Sequence, residues 1–238
     1  MLLAALSKSR EQFQDLTLTV GQLGERVLRS HCRGWLGEVA QDACGYARPE
    51  DPAPEATATL RIAGLDDARA VEALSSALTS PFDVTGAAHW PGRGTFVRVE
   101  GFAPSVAYRA GELQRRLGAF GAVEVVGDDP WPAIRDVVPF HGVQGDVWRL
   151  STLPSDAAAL VARSGAGQAL YDWGGGLVWL LTDPGHDLRA ALGNFAGHAT
   201  LIRSDSGLPV FHPEPAPVAA LTKGLRAKFD PRGLFVGA

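Results

Sequence analysis

Hydrophobic and polar residues alternate with period two in short segments, and apolar residues recur every three to four positions between those segments. Period-two alternation predicts half-buried strands, and the longer period predicts amphipathic helices. From residue 57 onward the order is strand, helix, strand, strand, helix, strand. The predicted strands are 57–63, 82–88, 94–100 and 122–126, and the predicted helices are 66–78 and 104–117.

The same order returns about 90 residues later along the chain. The second set has predicted strands at 147–152, 168–173, 177–181 and 198–203, and predicted helices at 155–162 and 187–195. Ser155 is placed as the N-cap of the first of these helices. The run Trp-Gly-Gly-Gly at 173–176 predicts a tight hairpin, because glycine accepts the positive φ of such turns.

Two βαββαβ units in tandem predict an α+β fold. Each unit is ferredoxin-like, and two of them can fuse edge to edge into one antiparallel sheet with helices on one face. The pseudo-repeats are expected over residues 57–127 and 147–204, and to superpose. Residues 128–146 are rich in Pro, Gly and Asp, which indicates a connector with a short helical turn around 133–137.

A further helix is predicted near the C-terminus, closed by an Asp-Pro-x-Gly stop. Val218, Leu221, Leu225 and Phe229 form one apolar stripe along it. Such a stripe is expected to be buried. Phe229→Ala is then expected to lower the free energy of unfolding by roughly 3 to 5 kcal/mol.

Composition narrows the function classes. The 238 residues are 46% hydrophobic with a net charge of −4, so the chain can bury a core but has no broad cationic surface for nucleic acid or anionic membranes. No apolar run is long enough for a transmembrane span, and the start does not resemble a signal peptide. Cys32 and Cys44 are the only cysteines, which favours reduced cytoplasmic thiols over a zinc site or a disulfide framework.

Strand alternation sorts side chains onto two faces of the expected sheet. Eight apolar residues would point at the helices: Leu60, Ile62, Val97, Val99, Trp148, Leu150, Ala199 and Leu201. The opposite face would carry Thr59, Arg61, Thr85, Arg98, Glu100, Arg149, Ser151, His198 and Thr200. Arginine matches a carboxylate in geometry, so Arg61, Arg98 and Arg149, together with Thr200 on the same face, are candidates to face a bound substrate or cofactor. The alternative is that this is the ordinary polar face of a half-buried sheet.

His198 is the candidate catalytic residue, since an imidazole on that face could accept a proton. The alternative is a hydrogen-bonded structural histidine. His212, next to Pro213, is expected to hold a turn, and His31, His89, His141 and His186 have no partner at ligand spacing, so no metal site is predicted. The glycine clusters at 92–94 and 174–176 lie between strands and do not form a dinucleotide cradle.

Several phrases, in the same order, resemble FAD-linked oxidases of the vanillyl-alcohol-oxidase type, and most of all the smaller flavoprotein subunit of bacterial glycolate oxidase (glycolate dehydrogenase). The likeness covers residues 55–235. It is carried by ATLRIAGLDDARAVEALSSAL (58–78), PFDVTGAAHWP (81–91), VRVEGFAPSVAYRA (97–110), VWRLSTLPS (147–155), DWGGGLVWL (172–180), GHATLIRS (197–204) and the terminal phrase FDPRGLF (229–235).

The resemblance implies a cap or substrate domain of such an oxidase, with the double ferredoxin-like sheet. It implies FAD as cofactor and oxidation of glycolate, a small 2-hydroxy acid, to glyoxylate. It also implies a hetero-oligomer with a larger flavoprotein subunit and an iron-sulfur subunit, cytoplasmic or peripheral at the inner membrane through those partners.

The chain departs from that family in three places. Residues 1–50 do not look like its flavin domain and are interpreted as an atypical segment, a remnant or frame-shifted domain end, with the cap domain at 55–238. The tail reads LFVGA where relatives continue Asn-Pro-Gly-Arg, and GHATLIR places His198 at a different offset from the family's histidine phrase. No cofactor-binding residue is therefore assigned, and the isolated chain is expected to bind FAD weakly or not at all. The second hypothesis is a catalytically silent subunit-interaction module without flavin.

Overall fold

The computed structural model describes residues 54–234, which form an eight-stranded sheet with helices. Predictions for residues 1–50, Cys32, Cys44 and the last four residues lie outside this range. Residues 54–134 and 138–234 belong to one unit of dense internal contacts. The strands are β1 (Ala56–Ile62), β2 (Val84–Trp90), β3 (Gly94–Gly101), β4 (Val123–Val126), β5 (Asp146–Thr152), β6 (Gln168–Asp172), β7 (Leu177–Thr182) and β8 (Gly197–Arg203).

Six α-helices accompany the described strands. They are α1 (Asp67–Leu78), α2 (Ala103–Leu117), α3 (Trp131–Arg135), α4 (Pro154–Arg163), α5 (Leu188–Leu192) and α6 (Ala216–Phe229). Short 3₁₀ turns occur at Val138–Phe140 and Trp173–Gly175. None of these helices is long and apolar enough to cross a membrane.

The strands form one antiparallel sheet in the order β4-β1-β3-β2-β6-β7-β5-β8. The first four strands are the first half of the sheet, and the last four repeat that order in mirror image as the second half. The halves meet where β2 lies beside β6, with His89 opposite Tyr171. This confirms the predicted α+β fold of two fused βαββαβ units.

Two hydrophobic clusters fill the side of the sheet that the repeat helices cover. The first includes Leu60 and Val97 with α1 and α2, and the second includes Trp148 and Leu150 with α4 and α5. All eight residues predicted to face the helices are buried. Each large apolar side chain buried in this way contributes roughly 1.5 to 3 kcal/mol, which makes this face the main source of stability.

Two helix starts and ends differ from the prediction. Ser155 is not the N-cap of α4. Leu153 holds that position without a side-chain cap, and the Ser155 hydroxyl lies 3.1 Å from Asp156 Oδ1. Pro154 pre-sets the helical φ, so the helix begins one residue earlier and Ser155 falls inside its first turn. Helix α5 is shorter than predicted because Gly193, at φ 64°, ends it.

The expectation that the stripe on α6 is buried is wrong. Val218, Leu221, Leu225 and Phe229 are 46%, 70%, 58% and 75% exposed, and α6 has no buried residue. The amphipathic period does produce a helix. Within residues 54–234, however, no surface covers its apolar side, so α6 is not part of this core.

Candidate functional site: the open face of the sheet

The sheet face opposite the four repeat helices is here called the open face. On its second half, β6, β7, β5 and β8 present two parallel rows of side chains. One row is Asp172, Leu177, Ser151 and His198, and the other is Leu170, Trp179, Arg149 and Thr200. All five predicted site residues lie on the open face, with Arg61 and Arg98 on the first half.

On the first half, both arginines are paired with carboxylates. Arg61 Nε donates to Glu124 Oε1 at 2.7 Å, between the edge strand β4 and β1. Arg98 Nε lies 3.2 Å from Glu100 Oε1 and also contacts Thr85. These guanidinium charges are already compensated, so neither arginine is well placed to capture a further carboxylate.

Trp131 of α3 covers the first half of the open face. It is 9% exposed, its indole N–H donates to Thr59 Oγ1 at 3.0 Å, and the Arg98 guanidinium stacks over its ring at 5.0 Å. Gly86 makes this packing possible, because an added Cβ would stand 2.8 Å from the indole. The connector between the repeats therefore packs, through Trp131, on the first half of the open face.

On the second half, Arg149 is half-buried and stacks over Trp173, with its Cζ atom 5.4 Å from the ring centroid. Within residues 54–234 it has no carboxylate at salt-bridge distance and no hydrogen-bond partner. Thr200 stands directly opposite on β8. A half-buried guanidinium beside a hydroxyl and an aromatic ring can accept a small carboxylate through bidentate hydrogen bonds.

Asp172 lies at the β6 end of the same face. Its Oδ1 accepts the Trp173 N–H at 2.7 Å, which caps the 3₁₀ turn. Burial raises the pKa of the Asp172 carboxyl, while the Trp173 N–H and the positive charge of Arg98 oppose that change. Trp173 thus touches both groups: its backbone holds Asp172, and its ring carries Arg149.

His198 is exposed on the edge strand β8, opposite Ser151. His212 lies nearby, where its Nδ1 accepts the N–H of Ala199 on β8 at 3.3 Å, a bond to the neighbouring strand and not within the predicted turn. Burial lowers the pKa of His212, and the charges of Arg189 and His198 lower it further.

A second polar cluster lies on the helix side, where the two halves meet. His89 Nδ1 lies 2.9 Å from Thr95 Oγ1 and its Nε2 lies 3.3 Å from Asp67 Oδ1, while the Tyr171 hydroxyl donates to Asp67 Oδ2 at 2.6 Å. His89 and Tyr171 are buried and both carboxylate oxygens are occupied. This cluster therefore clamps β2 and α1 to β6, and it leaves no room for a substrate.

Strand alternation correctly assigned residues to the open face, but it did not show which of them lie close together. The structure brings Arg149, Thr200 and His198 to one half and leaves Arg61 and Arg98 on the other. Sequence reasoning missed Asp172, although two signals were present. It lies in the phrase DWGGGLVWL, and it shares a face of β6 with Leu170, two residues earlier. Sequence reasoning also missed the Asp67–His89 pair, because 22 residues separate the partners along the chain.

No glycine-rich strand-to-helix loop that could cradle a dinucleotide occurs in residues 54–234. The Gly92–Gly94 cluster joins β2 to β3, and the glycines at 174 and 175 lie against Leu78 and Val71. A Cβ at residue 174 would stand 2.3 Å from Leu78 Cδ1, so these glycines serve close packing. No group of three His, Cys, Asp or Glu side chains in the described part is arranged to hold a metal ion.

Comparison with known proteins supports the resemblance read from the sequence. No family model matches the chain. The chain is 31% identical over 206 residues to glycolate oxidase subunit GlcE of Escherichia coli (strain K12). The match takes in 86% of this chain and 52% of the relative, so the chain spans about half the length of that curated relative.

Proposed function

We propose that this chain is a cap-domain portion of a FAD-dependent glycolate oxidase subunit, and that the second half of its open face binds the substrate acid. The observation that carries the proposal is Arg149, a half-buried guanidinium without a carboxylate partner among residues 54–234. The similarity to a glycolate oxidase subunit supplies the substrate class, a small 2-hydroxy acid.

In this proposal Arg149 holds the substrate carboxylate and Thr200, its neighbour on β8, adds a hydroxyl hydrogen bond. The Trp173 ring lies beneath the guanidinium, 5.4 Å from its Cζ atom, and shields one side of it from water. His198, one row away at the sheet edge, is kept as a candidate proton acceptor.

The residues described here do not fit FAD, since their glycine clusters lie in hairpins and packed turns. We therefore propose that FAD, the oxidant in the conversion of glycolate to glyoxylate, is held by another part of the assembled enzyme. A larger flavoprotein subunit and an iron-sulfur subunit are the proposed partners, in a cytoplasmic or membrane-peripheral complex. Titration of the isolated chain with FAD should show no micromolar binding.

The test is glycolate-dependent reduction of an artificial electron acceptor in extracts of cells that co-express the chain with the remaining subunits. Arg149→Gln should raise KM for glycolate at least about tenfold, because a charge-assisted hydrogen bond is worth roughly 1.5 to 3 kcal/mol. Arg61→Gln, a matched change on the first half, should alter KM by less than about twofold. Equal effects of the two substitutions, or activity that does not need this chain, would contradict the proposal.

A further inference from the structure

A cavity lies at the end of the second half where β7 and β8 finish and β5 begins. Three segments line it: residues 142–146, which lead into β5, residues 184–185 after β7, and residues 203–206 at the end of β8. Its volume is about 530 Å³, within the range of about 300 to 1,000 Å³ that is typical of small-molecule sites. None of the eight residues in the two rows of the open face lines it.

Asp146 brings a nearly buried carboxylate to this cavity. The residue is 2% exposed, and its Oδ2 accepts the Gly185 N–H at 2.8 Å. Among residues 54–234 its Oδ1 has no hydrogen-bond or ion-pair partner, and it is not one of the polar atoms enclosed without a partner. Because Asp146 lines the cavity, Oδ1 meets the open space there. A buried carboxylate with one hydrogen bond is stabilised by a further donor, above all a cationic one.

Arg203 brings a guanidinium to the same cavity. It stands opposite Val147 in the pairing of β8 with β5, one residue along from Asp146. Its side chain donates to three carbonyl oxygens: that of Phe140 at 3.0 Å, that of Val143 at 2.6 Å and that of Gly145 at 3.3 Å. These bonds hold the guanidinium in place but leave its Nε–H and one Nη1–H without a partner among residues 54–234. In that range no carboxylate lies at salt-bridge distance from it, so Asp146 and Arg203 present opposite charges that are not paired with each other.

Two serines and a further carboxylate complete the wall. Ser204 Oγ and Ser206 Oγ lie 2.6 Å apart, so one hydroxyl donates to the other and the second O–H is left to donate elsewhere. Asp205, between them, is exposed and adds a second negative charge to the lining. A ligand that is only an anion is therefore disfavoured by like-charge repulsion.

We propose that this cavity binds the head group of an α-amino acid, with the ammonium at Asp146 Oδ1 and the carboxylate at Arg203. A zwitterion supplies the cation that Asp146 lacks and the anion that Arg203 lacks, and both contacts are charge-assisted hydrogen bonds. A simple amine leaves Arg203 without an anion, and a simple acid leaves the Asp146 oxygen without a donor. The volume exceeds that of the head group, so the side chain of the amino acid has room as well. This site does not depend on the function proposed for the open face.

The test is an NMR titration of the full ¹⁵N-labelled chain at neutral pH, followed at the amide of Gly185, which donates to Asp146. The probes are L-alanine, propionate and ethylamine; the last two are alanine without its ammonium group and alanine without its carboxylate. L-alanine should give saturable shifts at Gly185 and bind at least about tenfold more tightly than either of the others, because each of them lacks one charged hydrogen bond.

Three variants assign the two ends of the ligand. Asp146→Asn keeps an oxygen for the Gly185 N–H but turns an N–H donor towards the cavity, so the preference for L-alanine over propionate should fall to about twofold or less. Arg203→Lys keeps the charge but loses the planar fork, so it should weaken the binding of L-alanine and leave that of ethylamine unchanged. Arg149→Gln, on the open face, is the control and should leave the binding of L-alanine at Gly185 unchanged.

The parent chain alone can overturn the proposal, either by binding none of the probes at Gly185 or by binding L-alanine no better than propionate or ethylamine. A folded Asp146→Asn chain that keeps the full preference for L-alanine also overturns it. So does an Arg149→Gln chain that loses the shifts at Gly185, because the binding then belongs to the open face. The unfolding midpoint shows whether Asp146→Asn is folded; if it is not, the ranking of probes in the parent chain and in Arg203→Lys decides.

Discussion

Two tryptophans mark the difference between the halves of the sheet. On the first half, Trp131 lies over the strands, bonded to Thr59 and stacked under Arg98. On the second half, Trp173 is 63% exposed and supports Arg149 from one side. The same order of strands thus carries a closed face in one half and an accessible arginine in the other. The connector makes this asymmetry, because α3 belongs to neither repeat.

Exchanging each tryptophan for alanine tests the difference between the two halves most directly. Trp131→Ala should lower the free energy of unfolding by roughly 3 to 5 kcal/mol, since it empties a nearly buried site and removes a hydrogen bond. Trp173→Ala should cost less than about 1 kcal/mol, because its ring is largely exposed. Urea denaturation measures both. Equal costs would mean that the two faces are covered alike.

The clamp between the halves gives the next largest effect. Tyr171→Phe removes a 2.6 Å hydrogen bond to the Asp67 carboxylate and should cost roughly 1.5 to 3 kcal/mol. Tyr108→Phe is the matched control, because Tyr108 is exposed on α2, and it should change stability by less than about 0.5 kcal/mol. A Tyr171→Phe chain as stable as the parent in a thermal melt would show that the halves are held by their backbones alone.

Asp67 adds a pH signature to this clamp. Its pKa is lowered by the hydrogen bond from His89 and, to a smaller degree, by that from Tyr171, while burial opposes both. A carboxyl whose pKa is lower in the folded state stabilises the fold above its unfolded pKa, near 3.9, and loses that contribution as the pH falls through its folded pKa. Stability between pH 5 and 2 should therefore depend less steeply on pH in Asp67→Asn than in the parent chain.

A segment beside β8, here called the strap, is expected to make the stability of the second half depend on pH. Residues 208–212 run along β8, where Leu201 N–H donates to Val210 O and His212 Nδ1 accepts the Ala199 N–H. The pKa of His212 is lower in the folded chain than in the unfolded chain. The contribution of His212 to stability is therefore complete above its unfolded pKa of about 6.5, and it is lost as the pH falls through the folded pKa. Acidification from pH 7.5 to 5 should cost the parent about 1 kcal/mol more than His212→Phe. His141→Gln, at an exposed site, should retain the parent's pH dependence.

The smallest expected effect is on α6. Phe229→Ala should change the free energy of unfolding by less than about 0.5 kcal/mol, because its side chain is 75% exposed. Leu113→Ala on the buried side of α2 is the helical contrast and should cost roughly 2 to 5 kcal/mol. A large loss in Phe229→Ala, seen as a lowered melting temperature, would instead place α6 within the core.

The fold could be predicted from sequence because strand alternation and glycine turns are local signals. Leu60 and Trp148 fall on the helix side for that reason, and the inward and outward residues are sorted correctly throughout. Trp131 could not be placed, since the connector has no hydrophobic period to say which face it meets. The α6 stripe shows a related limit: amphipathicity predicts that a helix has an apolar side, but it does not say whether this chain supplies the cover.

The site was predictable only in outline. Alternation assigns Arg61, Arg98 and Arg149 to one face, yet their difference comes from Glu124 and Glu100, whose pairing depends on register across strands. The role of Asp172 also depends on the folded chain, because its Oδ1 caps the 3₁₀ turn by accepting the Trp173 N–H. Whether an arginine is paired with a carboxylate depends on the tertiary structure, so it could not be predicted from the residue types alone.

The junction of the halves has a consequence for how the molecule opens. In the described sheet, β2 and β6 share one backbone register pair, His89 with Tyr171, whereas β2 and β3 share six. Transient opening should therefore begin along this line, and each half should behave as its own cooperative unit in amide hydrogen exchange. Amides of β2 that face β6 should exchange sooner than those that face β3. The molecule is in this sense two foldons, joined mainly through side chains.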